Sequence, residues 1–269
     1  MSLFHIVLLS LVQGLTEFLP VSSSGHLILL SKLSSFPDQG LEMDIAVHFG
    51  SVIAVMIYFA KDIWRIIKDL FSSRFLPDFQ KYGNRLFYLL LIGSIPAAIF
   101  GLWLQGQDMT ALRSSKIIGW NILLFGILLF FADKYGKTER KIEDMGYKDA
   151  LLIGLAQCLS LIPGTSRSGI TITMSRILKI KRRAAAQFCM LLSIPTITGA
   201  AMLVGWKLWQ AGTLDIDLIT KGVSFSFIAS MAAIGIMMGW LKIGTFIPFV
   251  IYRIVLGVGL LLYSYGIIG

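Results

Sequence analysis

Charged side chains are scarce in this sequence, and long stretches have none. Only 14% of its 269 residues are Asp, Glu, Lys or Arg, whereas 56% are hydrophobic. Soluble domains carry roughly 25% charged residues, so this composition excludes an ordinary soluble domain and indicates an integral membrane protein. The net charge of +9 does not indicate a nucleic-acid partner, because the basic residues lie in short loops between apolar runs, next to anionic lipid headgroups.

Cysteines and signal-peptide features are also nearly missing. The two cysteines, Cys158 and Cys189, lie in apolar stretches without metal-binding spacing, which predicts unpaired thiols. The N-terminal apolar run has no basic start and no small-residue cleavage site, so we predict no removable signal peptide.

The apolar residues form six long segments and two short, interrupted pairs. A spanning helix needs about 20 apolar residues. The predicted spans are residues 45–60, 86–104, 117–132, 186–206, 219–241 and 246–268. Residues 1–30 and 150–178 instead each read as a helix, a Pro/Gly/Ser break and a second helix. Paired interrupted segments are typical of internal repeats with a site near the middle of the membrane.

A shift of 144 positions aligns the two interrupted pairs without gaps. It matches Gln13 with Gln157, Ser22 with Ser166, Ser24 with Ser168 and Gly25 with Gly169. We therefore predict an all-α, polytopic membrane protein with one domain over residues 1–269. Its two inverted repeats, at about 1–116 and 150–269, each contain a broken re-entrant helix pair, and residues 117–149 link them.

Loop charge predicts the orientation. Basic residues cluster at 61–85, 134–148 and 176–183, and loops 31–44, 105–116 and 207–218 are poorer in them. The basic clusters are the expected cytoplasmic side. The first broken pair then enters from outside, the second enters from the cytoplasm, and both chain ends lie outside.

Glu17 is the only Asp, Glu, Lys or Arg among the first 30 residues. A carboxylate in hydrocarbon is costly and marks a functional site by default. Pro20 and the run Ser22 to His26 follow at once, and a second polar island, Pro163 to Thr171, carries Arg167. An acid, a base and many hydroxyls in two membrane loops predict a site for an anionic, phosphorylated lipid.

The residues of both islands suit phosphate chemistry. Gln13 and Glu17 share a helix face and are candidate ligands for Mg²⁺ or Ca²⁺. Arg167 has a planar fork suited to phosphate oxygens. His26 is a candidate nucleophile or proton donor, and Ser22 and Ser23 are candidates to orient or attack phosphate. The predicted substrate-binding residues are Ser22, Ser24, Gly25, Thr165, Ser166, Ser168, Thr171 and Arg253, several of which would lie at helix N-termini. His48, alone in an apolar helix, is expected to be packed or interfacial.

Three features resemble the bacterial undecaprenyl-diphosphatase family, which is linked to bacitracin resistance. They are Gln13-x-x-x-Glu17, the run from Leu15 to His26, and Pro163-Gly-x-Ser-Arg-Ser-x-x-Thr171. The resemblance implies hydrolysis of undecaprenyl diphosphate with a divalent metal, recycling a lipid carrier for peptidoglycan synthesis in the inner membrane. It also implies that the essential residues are Glu17, Ser23, His26 and Arg167. The family allows Glu or Gln at the position of Gln13, so this chain has no second carboxylate at that position.

A transporter or flippase for a phosphorylated polyprenyl lipid is the alternative, since inverted repeats with broken helices are a transporter architecture. The concentration of Glu, His, Ser and Arg at the two breaks favours an enzyme. The sequence leaves open the nucleophile, the physiological metal and whether the protein forms a homodimer.

Overall fold

The computed structural model describes residues 1–33, 40–104, 106–107, 110–136, 139–212 and 214–268. Within these ranges the chain is helical and forms no β-strand. The helices are α1 Leu3–Thr16, α2 Ser23–Leu33, α3 Gly40–Tyr58, α4 Ala60–Ser72, α5 Tyr82–Leu104, α6 Ser115–Tyr135, α7 Tyr147–Cys158, α8 Arg167–Ile177, α9 Arg182–Ala211, α10 Ile216–Trp240 and α11 Ile247–Ser264.

Six of these helices are long and apolar enough to cross a membrane, namely α3, α5, α6, α9, α10 and α11. Each contains most of one predicted span. Large apolar side chains such as Ile99, Met202 and Ile236 are exposed on their outer faces, where lipid would cover them. The prediction of an all-α, multi-pass membrane protein is therefore confirmed.

The two interrupted pairs are also present. α1 has 14 residues and α2 has 11, while α7 has 12 and α8 has 11, so each piece is too short to span. The helix starts Leu3 and Tyr147, and Ser23 and Arg167, are both offset by 144 positions. This offset supports the alignment made from the sequence. The inverted relation of the repeats and their boundaries stay predictions.

The two breaks end in the same way. Ser22 and Ser166 have φ of 78° and 73°, a strained conformation for a residue other than glycine. The Oγ of Ser22 accepts from the N–H of Gly25 at 3.3 Å, and that of Ser166 from Gly169 at 3.0 Å. Each serine thus caps the helix that follows its break.

The spans enclose both pairs. α1 packs against α10, α7 packs against α5, and α8 packs against α6. Protein atoms are therefore available to satisfy the irregular backbone of the breaks, as a membrane interior requires. Parts of the loops 31–44, 105–116 and 134–148 lie outside the described residues, and the predicted orientation of the chain stays a prediction.

Candidate active site

Glu17 lies at the centre of the site, directly after α1. Its Oε1 accepts from Arg167 Nη2 at 2.7 Å, and its Oε2 accepts from Ser23 Oγ at 2.7 Å and Gln13 Nε2 at 2.8 Å. The side chain of Glu17 is buried. The structure thus brings together four of the predicted residues, which come from both breaks.

Local structure explains this convergence. Gln13 and Glu17 are four positions apart and share a face of the first helix. Ser23 and Arg167 are the first residues of α2 and α8, so both side chains stand at helix N-termini. Free N–H groups and the helix dipole make such termini favourable for anions. Ser168 Oγ donates to the carbonyl of Leu19 at 2.9 Å and so ties the two breaks directly.

A cavity of about 680 Å³ opens from this cluster. Glu17, Ser23 and Arg167 lie at its polar end, with Ser24 and Ser166 beside them. Its other walls are mostly apolar and include the small residues Ala97, Ala98, Gly101, Gly199 and Ala200 of α5 and α9. The polar residues Ser94, Gln157, Ser160 and Thr196 also line it. A polar end with apolar walls is the lining that an amphiphilic ligand requires.

Sequence reasoning missed His48 and Asp44. His48 Nε2 lies 3.7 Å from Glu17 Oε2, and both residues line the cavity from α3. A packed or interfacial position was expected for His48, and its contact with Glu17 was not predicted. The available signal was the four-residue spacing between Asp44 and His48, which places both on one face of an apolar helix.

His26 does not lie on the cavity. Its ring nitrogens contact the carbonyl of Ser22, at 2.7 Å, and the hydroxyl of Tyr252, at 2.6 Å. Among the described residues, those that line this cavity do not include His26. The predicted role of His26 as nucleophile or proton donor is untested, and this geometry does not support it.

Several of the predicted substrate-binding residues form hydrogen bonds with backbone groups of the breaks and of the helices that follow them. Ser22 and Ser166 are helix caps, although Ser166 also lines the cavity. Thr171 Oγ1 donates to the carbonyl of Arg167 at 2.8 Å. Gly25, Thr165 and Ser168 are buried and do not line the cavity. Direct contact of these residues with a substrate stays a prediction, and Ser24 is the candidate whose position on the cavity fits it.

Arg253 is fully buried and binds carbonyl groups rather than the cavity. It donates to the carbonyl of Pro20 at 3.3 Å and to those of Gly164 and Thr165 at 3.2 Å and 3.1 Å. A Cβ atom placed on Gly169 would lie 2.9 Å from Nη1 of Arg253. The Arg253 guanidinium therefore packs closely against the backbone of Gly169. Arg253 thus joins both breaks, and a direct contact with phosphate is not supported by this arrangement.

In the described part of the chain, side chains alone do not form a complete coordination shell for the divalent cation predicted at Glu17 and Gln13. Among the described residues, no three His, Cys, Asp or Glu side chains form a metal-binding group. However, Gln13 Oε1 is a buried acceptor without a hydrogen-bond partner in the described structure. Mg²⁺ is often held by one or two protein groups together with substrate phosphates. The donors therefore fit a cation that the substrate helps to bind, and the cation stays a prediction.

The fold and the site define a multi-pass membrane protein with a Glu–Ser–Arg cluster at the end of an apolar cavity. A family model described as bacitracin resistance protein BacA matches residues 6–259. A protein of Jannaschia sp. (strain CCS1) is 46% identical over 98% of this chain and all of its own length. One of Erythrobacter litoralis is 39% identical over 97% of this chain and 99% of its own. Both relatives are named undecaprenyl-diphosphatase. The chain belongs to the bacitracin resistance protein BacA family.

Proposed function

We propose that this protein hydrolyses undecaprenyl diphosphate to undecaprenyl phosphate and inorganic phosphate. The observation that carries the proposal is the bond from Ser23 Oγ to Glu17 Oε2, 2.7 Å long, at the polar end of an apolar cavity. A hydroxyl beside a carboxylate is an activated nucleophile, and apolar walls suit a prenyl chain. The relatives' names point to the same reaction, which would recycle the lipid carrier for cell-wall synthesis.

In this proposal Ser23 is the nucleophile and Glu17 is its base, which the hydrogen bond between them supports. Glu17 takes the hydroxyl proton while Ser23 Oγ attacks the terminal phosphorus. The bond between that phosphorus and the bridging oxygen breaks, and undecaprenyl phosphate leaves with the electron pair. The proton on Glu17 passes to the departing undecaprenyl phosphate, which makes Glu17 a carboxylate again. Glu17 then deprotonates a water that attacks the phosphoserine phosphorus, the bond from phosphorus to Ser23 Oγ breaks, Ser23 Oγ takes the proton from Glu17, and inorganic phosphate leaves.

Arg167 and the two helix N-termini favour the charge that develops on the phosphoryl oxygens. One Nη of Arg167 binds Glu17 and the other donates to the carbonyl of Cys189 at 3.3 Å, so the guanidinium is held in place before substrate arrives. A divalent cation held by Glu17 and Gln13 would neutralise part of the diphosphate charge.

Release of phosphate from a long-chain prenyl diphosphate by the purified protein in detergent is the direct test. A flippase needs a binding site but no nucleophile, so it would move the lipid across a vesicle membrane without releasing phosphate. Lipid movement with no phosphate release would overturn the proposed hydrolysis.

Arg167→Lys is expected to raise the activation free energy by about 2–4 kcal/mol, which lowers turnover roughly 30- to 1,000-fold. Lysine keeps the charge but cannot bind Glu17, the Cys189 carbonyl and phosphate with one planar group. Steady-state phosphate release measures the loss, with Arg65→Lys on the exposed face of α4 as the control. An Arg167→Lys variant that retains most of its activity would show that a point charge suffices.

The apolar walls of the cavity are expected to hold the prenyl chain nearest the diphosphate. Gly199→Leu should raise KM with little change in kcat, because the new side chain enters the wall and not the reacting cluster. A change of pocket size by one or more methylene groups alters substrate binding by about 1–3 kcal/mol, roughly 10- to 200-fold in KM. Gly205→Leu is the matched control, since it lies on the same helix, is equally free of neighbours within 4 Å of a Cβ, and does not line the cavity. Equal KM values in the two variants would contradict this assignment.

The cavity is proposed to open to the outer, periplasmic face of the inner membrane. On a background without Cys158 and Cys189, Ser24→Cys should react with a membrane-impermeant thiol reagent added outside, and substrate should protect it. Ser72→Cys, on exposed α4 among the basic residues, should react only from the cytoplasmic side. Labelling of both positions from the same side would overturn the orientation.

A further inference from the structure

His26 has two hydrogen bonds that define its tautomer. Its Nδ1 lies 2.7 Å from the carbonyl oxygen of Ser22, and its Nε2 lies 2.6 Å from the hydroxyl of Tyr252. A carbonyl oxygen can only accept, so Nδ1 carries the proton. In the neutral ring Nε2 is then an acceptor, and the hydroxyl of Tyr252 is its donor. The two rings are also stacked, with centroids 5.6 Å apart and planes 10° apart.

The Ser22 carbonyl belongs to the peptide that leads into Ser23. Ser22 is the strained residue of the first break, with φ of 78°. Its carbonyl accepts both the backbone N–H of His26, at 3.2 Å, and the shorter bond from the His26 ring. A strained conformation persists only where its surroundings over-determine it. The ring bond therefore helps to fix the peptide from which Ser23 Oγ is aimed.

Tyr252 contacts the His26 ring from outside the cavity. It lies on α11, is 45% exposed, and does not line the cavity. Its neighbour Arg253 holds the carbonyl of Pro20 in the same break. The two adjacent residues of α11 thus fix the first break at two carbonyls, one directly and one through His26.

We propose that Tyr252 is a positioning residue for the reaction. Its hydroxyl proton holds His26 in the tautomer whose Nδ1–H fixes the Ser22–Ser23 peptide, and so sets the approach of Ser23 Oγ to phosphorus. This inference rests on the proposed hydrolysis with Ser23 as nucleophile. His26 acts here through the backbone rather than on the substrate.

The first test is Tyr252→Phe, which removes only the hydroxyl. Loss of one such hydrogen bond should lower kcat about tenfold and leave KM unchanged, because Tyr252 does not contact the substrate cavity. Tyr263→Phe, on the same helix and 47% exposed, is the matched control and should have no effect. An unchanged kcat in the Tyr252 variant would overturn the proposal.

Replacements of His26 separate positioning from chemistry. The amide nitrogen of Asn occupies the place of Nδ1 and can still donate to Ser22, whereas that of Gln reaches the place of Nε2. His26→Asn should therefore retain more activity than His26→Gln. Adding Tyr252→Phe to the Asn variant should cost less than about twofold, since no tautomer remains to be fixed. Equal inactivity of both variants, with an ionisation lost from the pH profile, would show that His26 acts on the substrate.

The tautomer itself gives a readout independent of turnover. With only three histidines in the chain, ¹⁵N spectra of labelled protein, assigned with His26→Asn, should show His26 protonated at Nδ1 and disturbed by Tyr252→Phe. A ring protonated at Nε2 would overturn the proposal. Absence of phosphate release by the unmodified protein would instead overturn the proposed function, so the two failures are distinguishable.

Discussion

Ser23→Ala is expected to abolish phosphate release, with kcat falling by about 10⁴-fold or more, as happens when a serine nucleophile is removed. Ser23 Oγ is the hydroxyl bonded to Glu17 at the polar end of the cavity. Alanine leaves no atom there to attack phosphorus. Binding should be nearly unchanged, because Arg167 and the helix N-termini remain. Single-turnover phosphate release together with substrate binding measures the two effects separately.

Ser24→Ala is the matched control for this prediction. Ser24 is the next residue of α2 and also lines the cavity, but it has no bond to Glu17. Its loss should reduce activity by less than about tenfold, the effect of one hydrogen bond. If the two alanine variants lose similar activity, or if Ser23→Ala stays active, water rather than serine attacks phosphorus and Glu17 activates the water.

Glu17→Gln should lower turnover by about 10²–10⁴-fold, the usual contribution of a general base. Glutamine has nearly the same size, so the protein should still fold and insert. It cannot take the proton of Ser23, and it leaves Arg167 without its carboxylate partner at 2.7 Å. Turnover should be measured over a range of Mg²⁺ and Ca²⁺ concentrations, because weaker binding of a cation is the other way to lose activity.

Glu143→Gln, an exposed residue of the short 3-10 helix Ile142–Asp144 that does not line the cavity, is the control for charge loss alone and should be fully active. Recovery of Glu17→Gln at saturating cation would show that the carboxylate serves only to bind metal. Near-normal activity without added cation would remove Glu17 from the mechanism altogether.

The sequence predicted the features that depend on local chemistry. Hydrophobic length predicted the six spans, and the Pro, Gly and Ser residues predicted the two breaks. The spacing of Gln13 and Glu17 placed both on one helix face. The contact between Glu17 and Arg167 joins residues 150 positions apart, and it was expected only because two half-membrane pieces must meet to share a site.

The tertiary contacts made by the spans could not be predicted from local sequence patterns. The spacing of Asp44 and His48 places both on one face of α3, but it does not show that this face turns toward Glu17. A buried arginine such as Arg253 usually indicates an anionic partner. Here carbonyl groups of the two breaks accept its hydrogen bonds instead. His26 has the residue type of a catalyst, but the approach of α11 decides which groups its ring meets.

The bonds from α11 to both breaks also bear on biosynthesis. Arg253 holds carbonyl groups at Pro20, Gly164 and Thr165, and it is synthesised after all of them. A nascent chain can therefore insert both broken pairs while the backbone around Ser23 and Arg167 still lacks its brace. Completion of the site then waits for the helix that begins at residue 247.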